Sequence, residues 1–67
     1  MSNIYIEQTD GGWVAYQNKK VIAEGDTQRQ AAVRGRREGE NPDDPILGER
    51  VRETTKGAPD KWRRIYV

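Results

Sequence analysis

The sequence predicts an α+β domain: a three-stranded antiparallel meander, one helix packed across it, and one or two further C-terminal strands. Three observations lead to this expectation. Three short β-type segments alternate with polar turns, a helix start follows the third segment, and more β-type segments lie in the last third of the chain. A chain of 67 residues is long enough for one small hydrophobic core, so residues 1–67 are expected to form a single domain.

The meander is predicted from the first third of the chain. The segment 3–8 alternates and has β-branched isoleucines, and Trp-Val-Ala-Tyr at 13–16 is its return strand. Between them, the Asp-Gly pair at 10–11 favours a two-residue type I′ turn, in which both positions have positive φ. The polar residues 17–20 then form a second turn, and residues 21–23 form a third strand.

A helix is expected after the Gly-Asp-Thr sequence that ends the third strand. Thr27 and Gln30 match a capping box, in which the Thr27 hydroxyl accepts from the Gln30 N–H and the Gln30 side chain reaches back to the Thr27 N–H. The helix should run to about Glu38 and stop at Gly39. Gly35 costs about 1 kcal/mol relative to alanine in a helix interior, and a close approach of helix to sheet would explain it.

Two further strands are predicted in the C-terminal third. Residues 46–52 favour a fourth strand, after a loop at 40–45 that contains two prolines. A second loop at 54–60 precedes residues 61–67, which favour a last strand. One face of that last strand would carry Trp62, Arg64 and Tyr66.

Two-residue turns determine which side chains of the meander share a face. One face would carry Ile4, Ile6, Trp13, Ala15 and Ile22. The other would carry Tyr5, Val14, Tyr16, Val21 and Ala23. We expect the helix to cover the first face. The second face is then covered by the C-terminal strands, by a second copy of the protein or by a ligand, and in the last case Tyr5 and Tyr16 form a platform on which nucleic-acid bases stack.

Charge is distributed in blocks, although the net charge is only +1. Residues 27–37 and 50–67 are basic, and residues 38–49 between them are acidic. Either these blocks pair with one another in the fold, or the two basic blocks meet and form a patch for an anionic partner. Such a patch would use Arg34, Arg36, Arg37, Lys61, Arg63 and Arg64. Stacking or interface contacts would come from Tyr5, Tyr16 and Trp62, and core packing is the alternative for Trp62.

The chain has neither cysteine nor histidine, which excludes several classes of function. Disulfides, Cys₂His₂ zinc sites and imidazole-based catalysis are ruled out, so we expect no enzyme, no metal and no cofactor. Asp43 and Asp44 lie between prolines and are interpreted as solvated loop charge rather than as metal ligands. The glycines at 11–12 lack the spacing and the Lys-Ser/Thr pair of a phosphate loop.

The cellular location is inferred from the length of the apolar runs and from the N-terminal sequence. The longest apolar run, at 13–16, is far shorter than the ~20 residues of a membrane span, and the N-terminus shows no secretory signal. We therefore expect a soluble, cytoplasmic protein without a membrane partner.

Three resemblances involve the central motifs. The stretches "GGWVAYQNKKVIAEGDTQRQA" and "DDPILGERV" resemble small prokaryotic domains of unknown function, over residues 12–52. This resemblance implies a β-hairpin, one helix and a returning strand, and it implies no activity. More loosely, "EGDTQRQA" is similar to the HicB-like antitoxin fold, and residues 3–31 look like the arm-binding domain of phage integrases, three strands and a helix that bind DNA.

The function expected from these observations is that of a small, non-enzymatic intracellular binding module. Its partner would be another protein or a second copy of itself in a homodimer. The alternative is a nucleic-acid-binding protein that uses the two basic blocks.

Overall fold

The computed structural model describes residues 2–49 and 62–67 and confirms the α+β class. Residues 50–52 of the predicted fourth strand, the predicted loop at 54–60 and Lys61 lie outside the described residues. The elements, in chain order, are β1 (Ile4–Thr9), β2 (Gly12–Gln17), β3 (Lys20–Gly25), α1 (Gln28–Glu38), β4 (Ile46–Glu49) and β5 (Trp62–Ile65). No helix in the described ranges is long and apolar enough to span a membrane.

The five strands form one sheet in the order β3-β2-β1-β4-β5. The meander β1–β2–β3 and the pair β4–β5 are antiparallel, whereas β4 runs parallel to β1. A parallel neighbour cannot be reached by a tight turn, so α1 serves as the crossover that carries the chain from β3, at one edge, to the far side of β1. The N-terminal strand therefore lies at the centre of the sheet.

The first hairpin has the predicted register, but the turn geometry differs. Tyr5 pairs with Tyr16 and Ile6 with Ala15, as two-residue turns require. Positive φ falls on Asn18 and Lys19, at 55° and 65°, and not on the Asp-Gly pair at 10–11. The type I′ prediction was therefore placed on the wrong turn. Asparagine tolerates the left-handed region because its short side chain bonds locally to the backbone.

A bulge in β3 changes the second half of the meander. Tyr16 pairs with Val21, as a two-residue turn at 18–19 requires, but Ala15 pairs with Ala23 where a regular strand would place Ile22, because the register shifts by one residue between Ala15 and Tyr16. The prediction that Ala23 shares a face with the tyrosines is therefore wrong. Both Ile22 and Ala23 pack against the core on the helix side.

The core lies between α1 and the predicted face of the sheet. Its fully buried side chains are Ile4, Ile6, Ala15, Ala31, Ala32 and Ile46. Gly35 allows the helix to approach closely, since a Cβ there would lie 3.0 Å from the Ala15 Cβ. Gly39 ends the helix with φ −68°, outside the left-handed region. Glycine is needed there for space, because a Cβ would lie 2.8 Å from the Ile4 Cδ1.

One of the two hydrogen bonds of the predicted capping box is confirmed, and the other has a different backbone donor. The Thr27 Oγ1 accepts from the Gln30 N–H at 3.1 Å. The Gln30 Oε1 accepts from the N–H of Asp26 at 2.8 Å, and not from Thr27 as predicted. Each side chain still satisfies one backbone donor at the helix start.

Replacing Thr27 by alanine is expected to lower the free energy of unfolding by about 1 kcal/mol, because the Gln30 N–H loses its acceptor. Chemical denaturation followed by circular dichroism measures the change. Thr27→Ser keeps the oxygen and should unfold close to wild type. Equal losses for the two variants would mean that the hydroxyl does not stabilise the helix start.

Candidate binding face of the sheet

The candidate site lies on the side of the sheet that faces away from α1, which we call the open face. Side chains alternate along each strand, so the pairing of the strands determines its members. They are Tyr5, Glu7, Val14, Tyr16, Val21, Glu24, Leu47, Glu49, Trp62 and Arg64. Within residues 2–49 and 62–67, no further helix or strand packs on this face. Both aliphatic and aromatic side chains are thus presented away from the core.

The three aromatic residues singled out from the sequence come together on the open face. Tyr5 and Tyr16 are directly opposite each other on β1 and β2. Trp62, on β5, meets Tyr5 from the other side, with ring centroids 5.1 Å apart and ring planes at 68°. This is the edge-to-face arrangement that aromatic rings prefer. Trp62 is half-buried here, on the opposite side of the sheet from the main core.

These three rings line one cavity of about 420 Å³. The volume is in the range of pockets that bind small ligands or anchor side chains. The Asn3 amide donates to the Tyr5 hydroxyl at 3.2 Å, at one side of the cavity. The charged groups of the lining are Glu7 and Lys19. The arrangement can therefore hold an aromatic, aliphatic or charged group against three rings.

Charge on the open face is polarised along the strands. Val14 lies between Glu7 on β1 and Glu24 on β3, and Glu49 is paired with Trp62 on β5. All three glutamates are near the end of the sheet at which β1 turns into β2. Lys19 lies at the other end, in the turn between β2 and β3. The face thus has an acidic end and a basic end.

Arg34 and Arg63, from the two basic blocks, have hydrogen-bond partners on different elements. Arg34 donates from Nη1 to the Glu24 carbonyl at 2.9 Å, beside β3. Arg63 donates from Nη2 to the Gln28 Oε1 at 2.8 Å, from β5. Strands β3 and β5 are opposite edges of the sheet, about 19 Å apart at the usual strand spacing. The expectation that the two basic blocks form one patch stays a prediction, and Lys61 lies outside the described residues.

The remaining described arginines of the two blocks lie at the end of α1 and on β5. Arg36 donates from Nη1 to the Pro42 carbonyl at 2.7 Å, which ties the helix end to the following loop. Arg37 is exposed near the C-terminal end of α1. Arg64 is on the open face, with its guanidinium 5.1 Å from the centre of the Tyr66 ring. Of the described candidates for phosphate contact, Arg64 alone shares a face with the three rings.

The interpretation of Asp44 as solvated loop charge is wrong. Its side chain is 1% exposed, while Asp43 is exposed. The Gln17 amide donates to the Asp44 Oδ2, and the Asp44 Oδ1 has no hydrogen-bond partner among residues 2–49 and 62–67. Gln17 also donates to the Ser2 carbonyl at 3.1 Å and accepts from the Glu40 N–H at 3.0 Å. This buried cluster fastens the loop after α1 to the end of β2.

The structure also adds residues that the sequence interpretation did not select. Glu7 and Lys19 line the cavity with the three rings, and Leu47 lies opposite Tyr5. The alternation that predicted Tyr5 on this face implies Glu7 as well, two positions further on. No group of three or more acidic, histidine or cysteine side chains in the described part of the chain is placed to hold a metal ion.

Comparison with known proteins does not assign a function. No protein family matches this sequence, and no curated protein and no solved structure matches it either. A function for this chain is therefore argued from the open face itself.

Proposed function

We propose that the protein is a non-enzymatic binding module whose open face binds a protein partner, either a different protein or a second copy of itself. The observation that supports this proposal is the convergence of Tyr5, Tyr16 and Trp62 on one cavity, on the side of the sheet away from the helix. Tyrosine and tryptophan are enriched at protein interfaces, because each buries a large rigid surface at little cost in side-chain entropy.

The charges favour a protein over a nucleic acid. Glu7, Glu24 and Glu49 lie on the same face as the rings and would repel phosphates. Arg34 and Arg36 already donate to backbone carbonyls. A face with an acidic end and a basic end instead suits a partner whose own charges are of both signs.

Nucleic-acid binding stays as a second candidate because of one observation. Arg64 lies on the open face and Lys19 lines its cavity with the three rings, and single-stranded nucleic acids bind to surfaces that combine aromatic stacking with cations. In this form the binding would depend on the rings and on these two cations, rather than on the arginines of α1.

The test compares the wild type with the double variant Tyr16→Thr/Trp62→Thr, which removes the two rings and places threonine, a residue that favours strands, at both positions. Short random peptides are selected on the wild type, and sedimentation velocity is measured over a wide range of protein concentrations. We expect the wild type either to select peptides that bind to it or to self-associate. We expect the double variant to weaken that peptide binding or self-association at least about tenfold. Val33→Thr, on the exposed side of α1, is the matched control and should bind like the wild type.

Two outcomes would contradict a protein partner. One is a monomer at every concentration together with the absence of selected peptides. The other is binding of single-stranded oligonucleotides at low salt that the double variant loses and that falls steeply as salt is raised, which would favour the second candidate.

A further inference from the structure

The cavity on the open face combines three aromatic walls with a carboxylate. From this combination we propose that it is a cage for an organic cation, and that it takes an arginine side chain of the protein partner. The inference deepens the proposed function, on which it rests, by naming the chemistry of the partner's anchor residue.

The walls of the cavity are aromatic rings of the kind that attracts a cation. Tyr5 and Trp62 pack edge to face at 68° and meet in a corner, and Tyr16 is the cross-strand neighbour of Tyr5. A cation within about 6 Å of such ring faces is attracted by their π-electron density, most strongly by tryptophan. An apolar group would contact the rings equally well, so the charges decide between the two.

Lys19 lines the cavity at one end, and the negative charge at the other end is that of Glu7. Its side chain is half-buried and makes no hydrogen bond or ion pair with other residues of the described part of the chain. Glu24 lies two strands away on the same face, so the field at the Glu7 end of the cavity favours a positive group. A guest cation would give the Glu7 carboxylate a partner while its flat faces contact the rings.

The size of the cavity favours a guanidinium over a metal ion. About 420 Å³ is far more than one ion fills, and no described cluster of acidic side chains is placed to hold one. A guanidinium is planar, stacks on aromatic rings and donates two parallel hydrogen bonds to a carboxylate. A contact between a guanidinium and an aromatic ring also occurs within this chain, where the Arg64 guanidinium lies 5.1 Å from the centre of the Tyr66 ring.

The test is a titration of the full chain with blocked arginine, N-acetyl-arginine methylamide, followed by the NMR shift of the Trp62 indole N–H. Blocked citrulline is the matched probe, because it keeps the shape of arginine and removes the charge. We expect saturable binding of arginine with a Kd on the order of millimolar, and binding of citrulline at least about tenfold weaker.

Two variants test the role of the carboxylate. Glu7→Gln should weaken arginine binding about tenfold and bring it close to that of citrulline, while Glu24→Gln removes the same charge outside the cavity and should have a much smaller effect. Tyr16→Leu keeps an apolar wall and should weaken arginine more than citrulline.

Two results of the titration would overturn the cage. Equal binding of arginine and citrulline would make the cavity an apolar pocket, and the absence of any shift at Trp62 would remove the site. Neither result contradicts the proposed function, because the peptide selection tests that function separately. Selected peptides that need the three rings but contain no basic residue would overturn the cage and leave the protein-binding proposal standing.

Discussion

Replacing Gln17 by leucine is expected to lower the free energy of unfolding by about 3 kcal/mol or more. The Gln17 amide is the described hydrogen-bond donor to the buried Asp44 carboxylate, whose second oxygen already has no partner among the described residues. The same side chain serves the Ser2 carbonyl and the Glu40 N–H. Leucine fills a similar volume and leaves these polar groups buried without partners. Urea denaturation measured by circular dichroism gives the change.

Two further variants separate the polar cluster from general packing. Gln8→Leu makes the same substitution at an exposed position and should change stability by no more than about 0.5 kcal/mol. Adding Asp44→Leu to Gln17→Leu removes the stranded carboxylate and should recover a large part of the loss, as replacement of both partners of a buried polar pair often does. Similar losses for Gln17→Leu and Gln8→Leu would show that the cluster contributes little.

Replacing Ile4 by alanine is expected to cost about 2–5 kcal/mol. Ile4 is fully buried at the centre of the sheet, and the positions of Gly35 and Gly39 on the helix both border its side chain. A domain of this length has a total stability of about 3–10 kcal/mol, so the variant should be unfolded or close to it at 37 °C. Thermal unfolding and the dispersion of amide NMR signals measure this.

The control for Ile4→Ala is the truncation of another β-branched aliphatic residue. Val33 is 36% exposed on the outside of α1, and Val33→Ala should leave stability unchanged or slightly higher, because alanine is the better helix former. A well-folded Ile4→Ala variant with a small loss would mean that the helix moves inward to fill the space that the side chain leaves.

The sequence predicts those parts of the fold that depend on local patterns. The register of the first hairpin follows from an alternating pattern and a turn length, and the helix start follows from Thr27 and Gln30. The parallel pairing of β1 with β4 has no local signal, because it joins residues about forty positions apart through a crossover. The shift at Ile22 was missed for a related reason: an extra residue in a strand leaves the apolar pattern almost unchanged.

The candidate site was predictable to a similar extent. Alternation places Tyr5 and Tyr16 on one face once the hairpin register is known. The contact between Trp62 and Tyr5 depends on the order of the strands in the sheet. No sequence pattern within β5 specifies that order. Asp44 lies in a proline-containing loop, and its buried carboxylate accepts a hydrogen bond from Gln17 of β2. Neither composition nor periodicity predicts a contact between residues so far apart in the sequence.

The bulge in β3 also bears on how the protein avoids aggregation. β3 is an edge strand, and a regular edge offers a row of free backbone N–H and C=O groups to any other strand. The extra residue at Ile22 interrupts that row, and Lys20 and Glu24 place charges near the two ends of the strand. Open-ended growth of the sheet by cross-β stacking is thereby disfavoured at this edge. Association of two copies through the same broad face would not add strands to this edge, because a self-complementary interface closes at the dimer.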